Sequence, residues 1–207
     1  MISHDFKTMF FHVPKTAGTS VETSFGFVKK AKSGHTKLYA EYGLNGEKHF
    51  TAEDYKLKYP KEFEEYYKWT IVRNPWEREL SFYLMQIKGV KYRHMSFLEW
   101  LEAVPVREHG QGVQRDQVDY FMIDGEIVVD DIYRFENLQI SWRTVLNKIN
   151  KEPIKLNWAR NSKISRQSKL NYFNQKSIDL IAELRQRDIE LLNYSFEDFK
   201  NNPNPFG

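Results

Sequence analysis

"FFHVPKTAGTS", Phe10–Ser20, decides how the rest of the chain is read. With the residues before it, the stretch Lys7–Val13 is apolar at its end, as a strand buried on both faces would be. It then breaks into a lysine, a glycine and three hydroxyl residues: Lys15, Thr16, Gly18, Thr19 and Ser20. Thr19 or Ser20 suits the start of a helix that runs to Phe27. A strand, a small-residue turn and a helix present outward-facing N–H groups and a partial positive charge. Gly18 permits close backbone approach, the hydroxyls can donate, and Lys15 adds a full charge. The order of residues therefore points to a tetrahedral anion. A plain strand–turn–helix with surface hydroxyls is the bland alternative. The spacing is not that of the G-x-x-x-x-G-K-[ST] loop, because Lys15 precedes Gly18 instead of following the last glycine.

A second stretch has the same form. "KWTIVRNP" gives a buried strand, Trp69–Val72, that ends at Arg73, and Pro75 suits the first turn of a helix. That helix carries Trp76, Leu80, Tyr83, Leu84 and Ile87 at helical spacing. Arg73 and Ser81 can both reach one phosphate, the arginine in a bidentate contact. The alternative is an Arg73 that only pairs with a nearby acid and a Ser81 on the helix surface.

Lys29–Lys48 holds three glycines and no clear period, so it reads as a long loop. Thr51 can cap a short helix running toward Pro60. Ser96 and Glu99 form a capping box before another. Glu108–Phe121 is polar and reads as a loop. "FMIDGEIVVDDIYRF" reads as a hairpin turning at Asp124-Gly125. Leu138–Ile149 and Asn174–Leu192 are helical stretches. Buried strands alternating with helices predict an α/β fold: a mostly parallel central sheet flanked by helices, with a P-loop-like strand–loop–helix. At 207 residues the expectation is a single domain over 1–207.

Composition sets bounds. There is no cysteine, which excludes disulfides, thiolate metal sites and a cysteine nucleophile. A formal charge of +3 does not argue for nucleic acid. The local pattern is sharper: Lys29, Lys30, Lys32 and Lys37 form one basic group, and Lys155, Arg160, Lys163, Arg166 and Lys169 another. Either is a solvated face or a rim for something anionic. No apolar run approaches the ~18 residues of a membrane span. The first residues lack the charged region of a secretory signal, so the chain reads as cytoplasmic, with no stable membrane insertion.

The two loops, in this order, resemble those of the Golgi-type carbohydrate sulfotransferases and their small bacterial relatives. These enzymes move a sulfuryl group from 3′-phosphoadenosine 5′-phosphosulfate (PAPS) to a hydroxyl. "HVPKTAGTS" is similar to the family's 5′-phosphosulfate loop and "VRNPWERELSFY" to its 3′-phosphate motif. "KHFTAEDY", "DGEIVVDDIYRFENL" and "RDIELLNYSF" extend the likeness over nearly the whole chain. The resemblance implies that Lys15, Thr16, Ala17, Gly18, Thr19 and Ser20 cradle the 5′-phosphosulfate, and that Arg73 and Ser81 bind the 3′-phosphate. It also implies a basic loop over Asn157–Leu170, including Lys163 and Arg166, that folds over the nucleotide. PAPS would be the donor, the 3′,5′-bisphosphate (PAP) the product, and a carbohydrate or other hydroxyl compound the acceptor, with no metal required. Many eukaryotic members carry a membrane anchor and disulfides; neither is seen in this sequence, and the acceptor-binding segments match no subgroup.

Such a transfer needs a charge to meet the leaving phosphate, which is Lys15, and a base for the acceptor hydroxyl. His49 falls where the family places a histidine. His12 is the rival, with a satisfied core histidine as its plainer reading; His4, His35, His94 and His109 read as surface residues. A carboxylate base stays open, Glu22 being close in sequence. Two other functions compete. "IVVDD", Ile127–Asp131, mimics the acid-tipped strand of an ATP- or GTP-dependent P-loop kinase, although the hairpin signal and the missing G-K-[ST] oppose it. A non-catalytic anion- or polysaccharide-binding module has no need for Lys15 and His49.

Overall fold

A computed structural model of the chain describes residues 1–26, 28–30, 36–38, 49–103, 115–156 and 164–201. Its main sheet has four strands in the order β1 (Ile2–Ser3), β2 (Thr8–Phe11), β5 (Tyr67–Val72) and β8 (Asp131–Arg134). β1 runs antiparallel to β2 at one edge, and β2, β5 and β8 are parallel. The expected mostly parallel α/β sheet is thus present.

Alternation along the strands distributes the core over both faces. Phe10, Trp69 and Ile71 pack with Val21 of α1 (Gly18–Ser24) and with Leu138, Trp142, Val145 and Leu146 of α6 (Leu138–Lys148). Met9 and Phe11 point the other way, onto Ala52 and Tyr55 of α2 (Ala52–Lys58) and Phe63 of α3 (Pro60–Glu65). A third cluster joins α4 (Pro75–Gln86) and α5 (Phe97–Ala103) to α8 (Gln175–Leu184) and α10 (Phe196–Asn201) through Leu80, Trp100, Ile181 and Phe199.

The end signals act as read. Thr51 and Asp54 form a reciprocal box at α2, and Ser96 and Glu99 do so ahead of α5. Pro75 opens α4. Asp124 and Gly125, at φ 51° and 84°, turn the hairpin of β6 (Met122–Ile123) and β7 (Glu126–Ile127). Positive φ at both central residues is the turn whose twist suits a two-residue hairpin.

Three readings need correction. Helix α1 stops at Ser24, short of Phe27, because Gly26 takes φ 84° and ends it. Lys29–Lys48 is not all loop: β3 (Val28–Lys30) pairs antiparallel with β4 (Thr36–Leu38), and 39–48 lie outside the described residues. The lysines there hide the strand alternation. Asn174–Leu192 is not one helix. Arg185, at φ −124°, separates α8 from α9 (Gln186–Leu192), and its buried guanidinium pairs with Glu79 of α4 at 2.8 Å. Among the described residues no helix is long and apolar enough to cross a membrane.

Candidate active site

The register places the ends of β2, β5 and β8 at one edge of the sheet, with Phe11 level with Thr70 and Val72 level with Arg134. Segments that leave the carboxyl ends of parallel strands there meet in space. The first, Pro14–Ala17, has two non-glycine residues in the left-handed region, Lys15 and Ala17, both at φ 71°. Each costs about 1–2 kcal/mol, so the loop must be held by its surroundings.

Several ties hold it. Thr16 Oγ1 donates to the Val13 carbonyl at 2.8 Å, Arg73 Nη1 to the Lys15 carbonyl at 3.0 Å, and Arg78 Nε to the Pro14 carbonyl at 3.2 Å. The Thr16 hydroxyl therefore donates inward, and Thr16 is buried. Gly18 is required by space: a Cβ there would lie 2.1 Å from the His12 ring. Thr19 and Ser20 follow in the first turn of α1, which has no side-chain cap.

The second segment starts at Arg73, whose backbone is gripped by Gln117: Arg73 N–H donates to Gln117 Oε1 and Gln117 Nε2 donates to the Arg73 carbonyl, both at 2.8 Å. The guanidinium lies 4.0 Å over the Phe135 ring and pairs through Nη2 with Glu77 Oε1 at 3.0 Å. Its buried Nε has no hydrogen-bond partner among the described residues. Arg73 therefore pairs with an acid, as one reading has it, and also touches the first loop. Ser81 lies one turn beyond Glu77 and is half-buried. One turn further, Met85 Sδ is 3.7 Å from Lys15 Nζ.

Glu77 was not singled out by sequence, although its place four residues after Arg73 is a readable sign. Its Oε1 also accepts from Lys169 Nζ at 2.6 Å, on α7 (Arg166–Leu170). Burial pushes its pKa up, but the Arg73 and Lys169 charges and their hydrogen bonds win and lower it to about 2. A depressed carboxylate stabilises the fold above its ordinary pKa of 4.5, and that contribution is lost as pH falls through about 2. It amounts to something on the order of 3 kcal/mol. Glu77→Gln is accordingly expected to be the less stable protein at pH 7, with the two converging toward pH 2. Urea unfolding at a series of pH values measures this, and parallel curves would contradict it.

His49 is exposed and sits beside the strand that enters the loop. Its Nδ1 is 3.0 Å from the His12 carbonyl oxygen, and the two rings are 4.6 Å apart, edge to face. His12 itself is buried, stacked on Phe10, with Nδ1 2.6 Å from Glu22 Oε1. It meets the description of a satisfied core histidine, and Glu22, also buried, is its partner. His4 and His94 are exposed, as read. Lys163 lies outside the described residues. Arg166 turns its Nη1 to the Phe199 carbonyl of α10.

The two stretches singled out in the sequence therefore lie against each other. The description "Sulfotransferase family" matches residues 1–195. The chain belongs to this family. It is a PAPS-dependent transferase by that membership, and the kinase and binding-module readings are displaced. Geometry agrees about the kinase: Asp131, the acid of "IVVDD", stands at the start of β8, at the opposite edge of the sheet, and binds Lys148 and Tyr67 at 2.5 Å each. Comparison with curated proteins and with solved structures gives no match.

Proposed function

We propose that this sulfotransferase moves the sulfuryl group of PAPS to a hydroxyl of a carbohydrate acceptor. The observation that carries this reading is the bond from Arg73 Nη1 to the Lys15 carbonyl, which unites the two anion-binding segments. Residues Lys15–Ser20 take the 5′-phosphosulfate, Arg73 and Ser81 the 3′-phosphate, and Lys163 and Arg166 close over the nucleotide. The buried Nε of Arg73, lacking a hydrogen-bond partner among the described residues, fits an anion at that place. PAPS supplies the activated sulfuryl group; the chain supplies position, charge and a base. The Lys15 ammonium meets negative charge as it grows on the departing phosphate. A carbonyl only accepts, so His49 Nδ1 carries the proton shared with the His12 oxygen, and Nε2 is the basic nitrogen for the acceptor hydroxyl. The sequence groups Lys29, Lys30, Lys32 and Lys37 with no acid among them, which suits an anionic saccharide.

Calorimetry tests the reading. PAP is expected to bind more tightly than adenosine 5′-diphosphate, by about 2–3 kcal/mol for a buried charge-assisted contact to the 3′-phosphate. Equal affinities would overturn the assignment of Arg73 and Ser81. An acceptor screen with radiolabelled PAPS tests the carbohydrate.

A further inference from the structure

The carbonyls of Val13, Pro14 and Lys15 each accept a side-chain hydrogen bond, from Thr16, Arg78 and Arg73 in turn. In a planar trans peptide the C=O and the next N–H point in opposite directions. Pro14 has no N–H, so the tie on Val13 turns none outward. The ties on Pro14 and Lys15 turn the N–H groups of Lys15 and Thr16 away from the two arginines. Left-handed residues on either side of Thr16 are the alternation that lets successive N–H groups converge on an anion.

The two arginines differ. Arg73 is placed to meet the nucleotide as well as the loop. Arg78 is fully buried behind the loop. Its Nη2 donates to the Arg115 carbonyl at 3.2 Å, and its Nη1 is 3.8 Å from Asp188 Oδ2, too long for a hydrogen bond. Neither of those two atoms has a hydrogen-bond partner among the described residues. Asp188, on α9, is also fully buried, and its Oδ1 accepts the Val118 N–H at 3.1 Å. A loose buried ion pair is a weak device for stability, since apolar side chains of that volume usually serve as well. What the pair adds is direction. The planar guanidinium is held on one side by Arg115 and Asp188, which aims Nε at the Pro14 carbonyl.

We propose that Arg78, braced by Asp188, is a positioning residue that fixes the loop Pro14–Ala17 in its anion-binding shape. This rests on the sulfotransferase reading above. It touches neither nucleotide nor acceptor, so its effect is confined to the 5′ end of the nucleotide.

The test compares adenosine 3′,5′-bisphosphate with adenosine 3′-monophosphate by calorimetry on the full chain. Their affinity ratio isolates what the loop contributes. The double variant Arg78→Met, Asp188→Asn removes the pair without leaving a buried charge, and Arg78→Lys keeps the charge but loses the fork. The double variant is expected to lose at least tenfold in the ratio while 3′-monophosphate affinity stays within threefold, with Arg78→Lys in between. Phe63→Leu, in the core under α3, should lower the melting temperature and leave the ratio alone. A folded variant with the wild-type ratio overturns the proposal, as does a parallel loss of both ligands or a ratio that also falls in Phe63→Leu. If the double variant does not fold, Arg78→Lys decides by the same criteria. A wild-type ratio near one would remove the 5′ site itself, and with it both this proposal and the reading it rests on.

Discussion

Replacing His49 with alanine is expected to lower turnover by about 10²–10⁴-fold, the usual worth of a general base. The His12 carbonyl accepts from Nδ1 and leaves Nε2 as the nitrogen that takes the acceptor proton. A base must be neutral to act, so the wild-type rate falls on the acid side as the imidazole is protonated, and the variant should lack that limb. Affinity for PAP should survive, because the phosphate-binding residues proposed are Lys15–Ser20, Arg73 and Ser81. The exposed position of His49 makes a folding defect unexpected. His12→Ala is the matched comparison: it removes a buried ring and its hydrogen bond with the buried Glu22, so its melting temperature should fall. Near-normal turnover in folded His49→Ala would sink the assignment. A stable but inactive His12→Ala would transfer the role to His12.

Lys15→Ala is expected to reduce turnover by about 10²–10³-fold, with a smaller change in nucleotide affinity. Charge on the leaving phosphate is greatest in the transition state, so the loss belongs in kcat. The backbone frame favours a clean comparison. Lys15 already sits at φ 71°, where alanine bears the same strain, and Arg73 grips its carbonyl and not its side chain. Single-turnover rates beside calorimetry measure the split. A variant with unchanged kcat and only a raised KM would contradict the role.

Elements defined by local chemistry were legible. The apolar runs at Phe10 and Trp69 needed no partner to be recognised as strands, and Thr51, Ser96 and Asp124-Gly125 marked ends by their own hydrogen bonds or φ. Arg73 was legible because a strand end and a following proline fixed its place. The hairpin of β3 and β4 was not, since its pairing joins lysines to lysine and threonine with few apolar residues to alternate. Nor was the break at Arg185, because apolar spacing continues through it and the cause lies on α4. Arg78 escaped for a related reason. A charged residue within a helix reads as solvent-facing unless its partners are known, and here they come from Pro14, Arg115 and Asp188. Lys169 was seen only as part of a basic group; its bond to Glu77 is a fact of assembly.

The ties that run from the end of the sheet to the last helices bear on how the molecule is made. Arg78 meets Asp188, Glu136 accepts from the Tyr194 hydroxyl, and Asn74 Nδ2 donates to the Ser195 carbonyl across 121 residues of sequence. Contacts of such long range are slow to form. A polypeptide emerges amino end first, so the loop Pro14–Ala17 is synthesised well before Asp188 and must wait for it. A nascent chain that has not yet reached Asp188 possesses the residues of all four strands of the sheet, but lacks the brace behind Arg78. The brace behind the loop Pro14–Ala17 is thereby completed only after the strands that carry the loop have been made.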